Sequence, residues 1–337
     1  MKHMRPSPAL SLFILIATLP FIAAPTLNER GVPASVQYVL ELDGAMAGYL
    51  ASAEGGNLYG EVVNEKIGTD RIQRKHIARA KYEDLTITCG AAMGSELYDW
   101  IKGTLTGNGP RKNGAVVMID HSGQVLNRLN FYNAIIKEVS FPVFDSSSKE
   151  AGKITLKLSC GYTQRSYPGG SVSMNAFSQQ QKRWQLCNFQ LKIDGLDQAV
   201  ARASKIEVLT ITQRVSQDAI GNAKGYNVEP TFIEVSHLTV TVPDDYSDSF
   251  RQWMDNIVIN GNSGDERAGV IDVLAPNKTD ILFSLTLSNL GLFKLSPDQS
   301  EAAKSGIRRI KADMYCEDVD FIYMEGANTA DSSRKSG

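Results

Sequence analysis

The chain has 337 residues and a mass of 36.8 kDa, long enough for two ordinary domains. Apolar residues make up 42% and charged residues 21%, which supports real cores and excludes a chain disordered throughout. Lys and Arg total 35 against 37 Asp and Glu, for a net charge of −2. A strongly basic nucleic-acid binder and an acidic tail protein are thereby disfavoured.

Residues 1–34 form an apolar amino-terminal extension. Lys2, His3 and Arg5 precede the run Ala9–Ala24, which Pro20 interrupts. A charged start and apolar middle match a secretory signal peptide, but the run is too short for a transmembrane helix. Cleavage after Ala24 would put Pro25 at +1 and Ile22 at −3, where a small residue is wanted. A signal or anchor, a misassigned start codon and a functional tail are the three readings open.

Patterned sequence begins near Ser35. Tyr38, Leu40 and Leu42 alternate with Val39, Glu41 and Asp43, and Leu85 and Ile87 alternate with Thr86 and Thr88. Ile154, Leu156 and Leu158 alternate with Lys153, Thr155, Lys157 and Ser159. Period two with one apolar face predicts half-buried antiparallel strands. One helix stands out per half. Ser95 can cap one with a Leu97, Trp100, Ile101, Leu105 stripe, and Ser247 another with Phe250, Trp253, Met254 and Ile257. Trp100 and Trp253 read as core anchors between helix and sheet.

The most charged segment is Glu65–Asp84. Arg71, Arg74, Lys75, Arg79 and Lys81 lie there, with His76 among them. It reads as a solvated loop or as an arm making charged contacts with a neighbouring subunit. A nucleic-acid reading is poor, because aromatic residues are nearly absent.

The chain repeats itself. Tyr38-Val-Leu-Glu-Leu-Asp-Gly44 matches Phe189-Gln-Leu-Lys-Ile-Asp-Gly195, and Leu85-Thr-Ile-Thr88 matches Leu238-Thr-Val-Thr241. Trp100 matches Trp253, and Lys153–Cys160 matches Arg309–Cys316. Four blocks in one order predict a tandem duplication. The domains are 36–165 and 183–325, joined by a Gly/Ser/Gln-rich linker at 166–182 that lacks strand or helix period; 326–337 is a small, polar, frayed tail. The first domain holds 15 basic and 14 acidic residues, the second 14 and 21. Such divergence fits halves that meet different surfaces.

Nothing in the pattern points to chemistry. Cys89, Cys160, Cys187 and Cys316 are too widely spaced for a zinc motif and read as buried thiols. Asp120-His121-Ser122 has the letters of a triad, but adjacent residues on one turn cannot form the relay. Glu54-Gly-Gly56 and Pro168-Gly-Gly170 lack the context of phosphate loops. The expectation is no catalytic residue, no cofactor and no metal site.

Several blocks carry a resemblance: Tyr38–Gly44, Ser52-Ala-Glu-Gly-Gly56, Val62-Val-Asn-Glu-Lys66, Lys75-His-Ile77, Lys81-Tyr-Glu-Asp-Leu-Thr-Ile87, Tyr98-Asp-Trp-Ile101, Arg111-Lys-Asn-Gly114 and Phe141–Lys149. Together they resemble the tail tube family of contractile phages and bacterial contractile injection systems. The likeness covers nearly all of the first domain. The second keeps Asp194-Gly195, the Thr strand and the Trp helix, but lacks the Lys-His-Ile arm.

The resemblance implies a mainly β (α+β) fold: two tube-type domains, each of two packed antiparallel sheets with one amphipathic helix. It also implies a structural, self-assembling tube or tube-adaptor protein forming a ring around a channel. The ring would hold three or six chains and meet tail tube, sheath or spike and hub proteins. Arg71, Arg74, Lys75, His76, Arg79 and Lys81 would form the interface arm. Lys153, Thr155 and Lys157 would face the channel. No specific nucleic acid is implied, and a membrane only if residues 1–34 are real. Such particles assemble in the cytoplasm, which fits export poorly. The competing reading is a secreted or anchored β-rich binding module.

Overall fold

The computed structural model describes residues 36–65, 72–167, 169–172, 184–219, 225–262, 264–298 and 308–324. The expectations for 1–34, for Arg71, for most of the linker and for 326–337 lie outside the described residues. What is described forms one compact body.

The first half contains β1 (Gln37–Leu42), β2 (Ala45–Gly55), β3 (Leu58–Glu65), β4 (Arg74–Tyr82) and β5 (Leu85–Met93). Helix α1 (Ser95–Leu105) follows, then β6 (Lys112–Ile119), β7 (Val125–Phe141), β8 (Phe144–Asp145), β9 (Ile154–Ser159) and β10 (Tyr162–Ser166). Strands β7, β6, β1, β2, β5 and β9 pair in that order, and β9 pairs back onto β7, closing a barrel. Strands β3 and β4 stand apart as a hairpin.

The second half contains β11 (Phe189–Ile193), α2 (Asp197–Val200), β12 (Lys205–Ile206), β13 (Leu209–Ala219), β14 (Tyr226–Val235) and β15 (Leu238–Pro243). It continues with α3 (Asp248–Met254), β16 (Arg267–Leu274), β17 (Ile281–Pro297), β18 (Arg309–Tyr315) and β19 (Asp318–Tyr323). Its sheet runs β11, β16, β17, β18, β15, β12, β8. The short α2 stands where the first half has the start of β2, so among the described residues this sheet does not close.

Pairing registers recur along the chain. Ser52 and Ala53 face Thr88 and Ile87, and at the equivalent positions of the second half Lys205 and Ile206 face Thr241 and Val240. Both hairpins shift register at the same place, between Gly60 and Val62 and between Gln213 and Val215. Asn133 and Asn289, midway along the two longest strands, have φ of 49° and 53°. Each helix Trp donates its indole N–H to a loop carbonyl, Trp100 to Pro110 and Trp253 to Asp265, both at 2.8 Å.

The halves interlock. β13 adds to β7, and β8 adds to β12. One core runs through both, with Phe141, Phe144, Trp184, Phe283 and Phe321 fully buried. Tyr98 of α1 stacks on Tyr323 at 3.7 Å between ring centroids.

Three local expectations change. Ser95 is the first residue of α1, with Gly94 as its cap, and Ser247 donates its hydroxyl to the Asp244 carbonyl; neither side chain caps. Val39 is buried along with Leu40, because Ala115, Val117 and Ile119 join it in a second small cluster that Val172 packs against. That cover comes from the start of the linker. Its Gly170 accepts from Val125 N–H and its Val172 donates to Gly123, in place of an unpaired run.

Candidate assembly surfaces: a polar sheet face and a basic hairpin

Strand β9 lies between β5 and β7, so its side chains alternate between core and outer face. Ile154, Leu156 and Leu158 are buried, while Thr155 and Lys157 reach the outer face and Lys153, just before the strand, is exposed. The ammonium of Lys157 sits 3.2 Å from Glu138 on β7, and Thr155 meets Thr88 at 3.4 Å. The face continues across the junction between halves, where the Ser140 and Thr210 hydroxyls lie 3.0 Å apart. It recurs in the second half, with Lys205 beside Glu207 at 2.9 Å, Thr239 bonded to Asp313 at 2.7 Å, and Lys294 near Asp313 at 3.6 Å. Ser159 differs from its expected wet position. It is buried because Gln217 of β13 covers it and donates to its hydroxyl at 2.8 Å.

The β3–β4 hairpin carries the basic run. Arg74, Lys75, His76 and Arg79 are exposed, and Lys81 is half-buried. Lys81 bonds Glu61 at 2.6 Å, which raises its ammonium pKa above the ordinary value. The His76 Nδ1 lies 3.6 Å from Glu65, both in solvent. Such exposed pairs contribute little to stability. The hairpin also shows apolar groups to water: Val62 opposes Ile77, and Leu58 is 62% exposed.

The β13–β14 hairpin has the same register and a different environment. Its residues Leu209–Thr212 pair with Phe141–Glu138 of β7. Tyr226 donates its N–H to Gly161 at 2.8 Å and its hydroxyl to Ala80 at 2.8 Å. Arg111 donates to the Val228 carbonyl at 3.1 Å and pairs with Glu229 at 2.7 Å. Val228 is 0% exposed and Ile211 3%. Sequence reading misses this docking and also Trp184. The signal available is the steady offset between the two copies, which sets buried Val228 against Lys75.

Titratable groups elsewhere serve structure. The Asp120 carboxylate accepts from the Ser122 hydroxyl and from the amides of Ser122 and Gln124, which hold it below the usual carboxylate range. The His237 ring packs on Phe293 at 4.8 Å. Burial pushes the thiols of Cys89 and Cys160 up to about 12 and that of Cys316 to about 11. Among the described residues no group of three His, Cys, Asp or Glu side chains could hold a metal ion, and no helix is long and apolar enough to cross a membrane.

Residues 34–164 match the family described as T4-like virus tail tube protein gp19. In sequence, residues 34–164 therefore resemble a tail tube domain. Tail tube domains are structural, and the match supports a structural role for residues 34–164. Among solved structures, the chain is similar to the tube-terminating cap of the anti-feeding prophage, at 18% identity and a TM-score of 0.36, over 44% of this chain and 99% of the cap chain. It is similar to a chain of the sheath–tube complex of the extracellular contractile injection system PVC, at 18% identity and a TM-score of 0.36, over 42% and 94%. A third likeness is to Hcp1 from Flavobacterium johnsoniae, at 18% identity and a TM-score of 0.26, over 40% and 99%. No curated protein matches the sequence.

Proposed function

We propose that this chain is a tandem tube or tube-adaptor subunit of a phage-tail-like contractile injection particle, built from two diverged copies of one tube-type domain. Copies assemble in the cytoplasm into a ring around a channel. Three chains complete the circle if the halves alternate, and six if the first half alone builds it. The polar sheet face with Lys153, Thr155 and Lys157 lines the channel, and the hairpin bearing Arg74, Lys75, His76, Arg79 and Lys81, with Arg71, contacts a neighbour. Tube, sheath and spike or hub proteins are the partners along the particle axis. The role is mechanical and not enzymatic.

The observation that carries this reading is the β13–β7 junction. There, the sheet of a tail-tube domain is continued by a strand from the next domain, as a ring wall requires. The test is to purify tail-like particles from producing cells and locate the chain by mass spectrometry and immunogold labelling. The expected result is the chain within particles, in fixed proportion to tube protein. Its absence from particles, with a mature amino terminus near Ala24 in exported protein, would favour the secreted binding module.

A further inference from the structure

Each chain contains one completed junction between halves and the two parts of an uncompleted one. In the completed junction the β13 edge at Leu209–Thr212 pairs with Phe141–Glu138, and the hairpin rests on the β9–β10 turn through Tyr226 and Gly161. The second half carries the matching receiving surface at the equivalent stretch of its own long strand. Lys294–Pro297 of β17 pairs with β18 on one side, and among the described residues no strand occupies the other. The turn beyond it is built alike: Glu317 N–H donates to Ser288, as Gly161 N–H donates to Tyr132.

The first half carries the matching donating strand, β3, at the position that β13 holds in the second. Leu58 stands where Ile211 stands, yet is 62% exposed against 3%. Charge agrees with geometry. β4 bears Arg74, Lys75, Arg79 and Lys81, and the receiving β18–β19 turn bears Glu317 and Asp318 in solvent with Asp320 half-buried beside them.

We infer that the first hairpin docks on a second copy of this chain. The β3 edge at Leu58 adds to the open β17 edge at Leu295, and basic β4 faces Glu317, Asp318 and Asp320. This deepens the tube reading and rests on it. Asp298 N–H donates to Arg309, so alternation aims Leu295 N–H and C=O at the open side. Pro297 stands where Phe141 stands and brings no N–H, so the external junction has one ladder bond fewer than the internal one. The contact is head-to-tail, which closes into a ring when the rotation allows.

The experiment uses the full chain. Its mass is measured by light scattering at roughly 100 μM, where a contact of micromolar strength is filled. The expected result is an assembly of several chains in which an L58C/L295C variant forms a disulfide between chains. Over a dilution series, reversal of the arm, K75E/R79E, should weaken the assembly constant at least about tenfold, and so should reversal of the turn, E317K/D318K; the combined variant with all four changes should regain it. Circular dichroism melts confirm that each variant folds. Assembly without the interchain disulfide, or without rescue in the combined variant, overturns the inference and leaves the tube reading standing. So does a monomer that enlarges only when a single-domain tube protein is added, which assigns the arm to that protein. A chain absent from particles fails the tube reading instead, whatever its mass in isolation.

Discussion

The two hairpins share register and a register shift, yet β13–β14 is packed against β7 while β3–β4 is mostly in solvent, touched at Ala80 by the Tyr226 hydroxyl. Side chains at equivalent positions account for the difference. Ile211 and Val228 of the second hairpin are buried where the first has Leu58 and Lys75. An apolar residue commits its hairpin to a partner that is always present, because burial contributes to folding itself. A lysine keeps the other hairpin soluble until a charged surface meets it. A second pair tells the same story: Lys137 and Asp84 form an ion pair at 2.7 Å in the first half, and the equivalent Phe293 and His237 rings pack at a tilt in the second.

The largest expected effects test whether the halves are one cooperative unit. Replacing Trp100 or Trp253 by Ala removes a fully buried indole and its hydrogen bond, and should cost about 3–5 kcal/mol each. Because the core and two strand exchanges join the halves, chemical denaturation should show one transition in which both variants shift together. Two separable transitions, each sensitive to one Trp, would mean that the halves fold alone. Next is the exchange at the hairpins. Val228→Lys places an unpaired charge at a site with no exposure and should destabilise by about 3 kcal/mol, whereas Lys75→Val should leave the melt unchanged. A Val228→Lys protein of unchanged stability would show that the junction does not hold the hairpin.

Much of this is legible in the sequence. Alternation at Ile154–Ser159 gives the outer face of β9, and the stripes around Trp100 and Trp253 give both helices. Residues at the offset positions also pair alike, Ser52 and Ala53 with Thr88 and Ile87, and Lys205 and Ile206 with Thr241 and Val240. The failures have one cause. Alternation reports which side chains are apolar, not what lies over them, so Val39 and Ser159 read as open although Val172 and Gln217 cover them. Trp184 follows a linker with no period around it to mark it, and it packs against Phe144 of the other half. Contacts between halves depend on the three-dimensional junction, which no local pattern encodes.

A smaller effect sharpens that junction. Gln217→Ala leaves the buried Ser159 hydroxyl without its donor and should cost about 1–2 kcal/mol. The equivalent Asn64, on the exposed hairpin, should tolerate Ala without a measurable shift. The thiols offer a comparison by pH. Burial favours the neutral thiol in the fold, so the folded pKa lies above the unfolded one. The stabilisation is complete below pH 9 and is lost as pH rises through about 11 for Cys316 and about 12 for Cys89 and Cys160. The slope reaches about 1.4 kcal/mol per pH unit for each buried thiol that ionises only when unfolded. Melts between pH 8 and pH 11 should fall less steeply for a Cys160→Ala protein than for the native chain. Equal slopes would show that Cys160 does not contribute.

The smallest expected effect on folding belongs to the arm. Arg74, Lys75 and Arg79 lie in a hairpin whose side chains are almost all exposed, and the neighbouring Lys81–Glu61 and His76–Glu65 contacts are at the surface. Exposed ion pairs contribute roughly 0–1 kcal/mol, and high salt screens them further. Reversing Arg74, Lys75 and Arg79 to Glu should therefore leave the monomer melting within a few degrees of the native chain, since about 1 kcal/mol moves a domain of this size by only ~2–4 °C. The same three changes should lower assembly, because charge at a docking surface sets register and partner choice more than core stability. Measuring both on one preparation separates the roles. A collapsed melt with assembly intact in the surviving fraction would make the first hairpin a folding element like the second, and would erase the difference between the two.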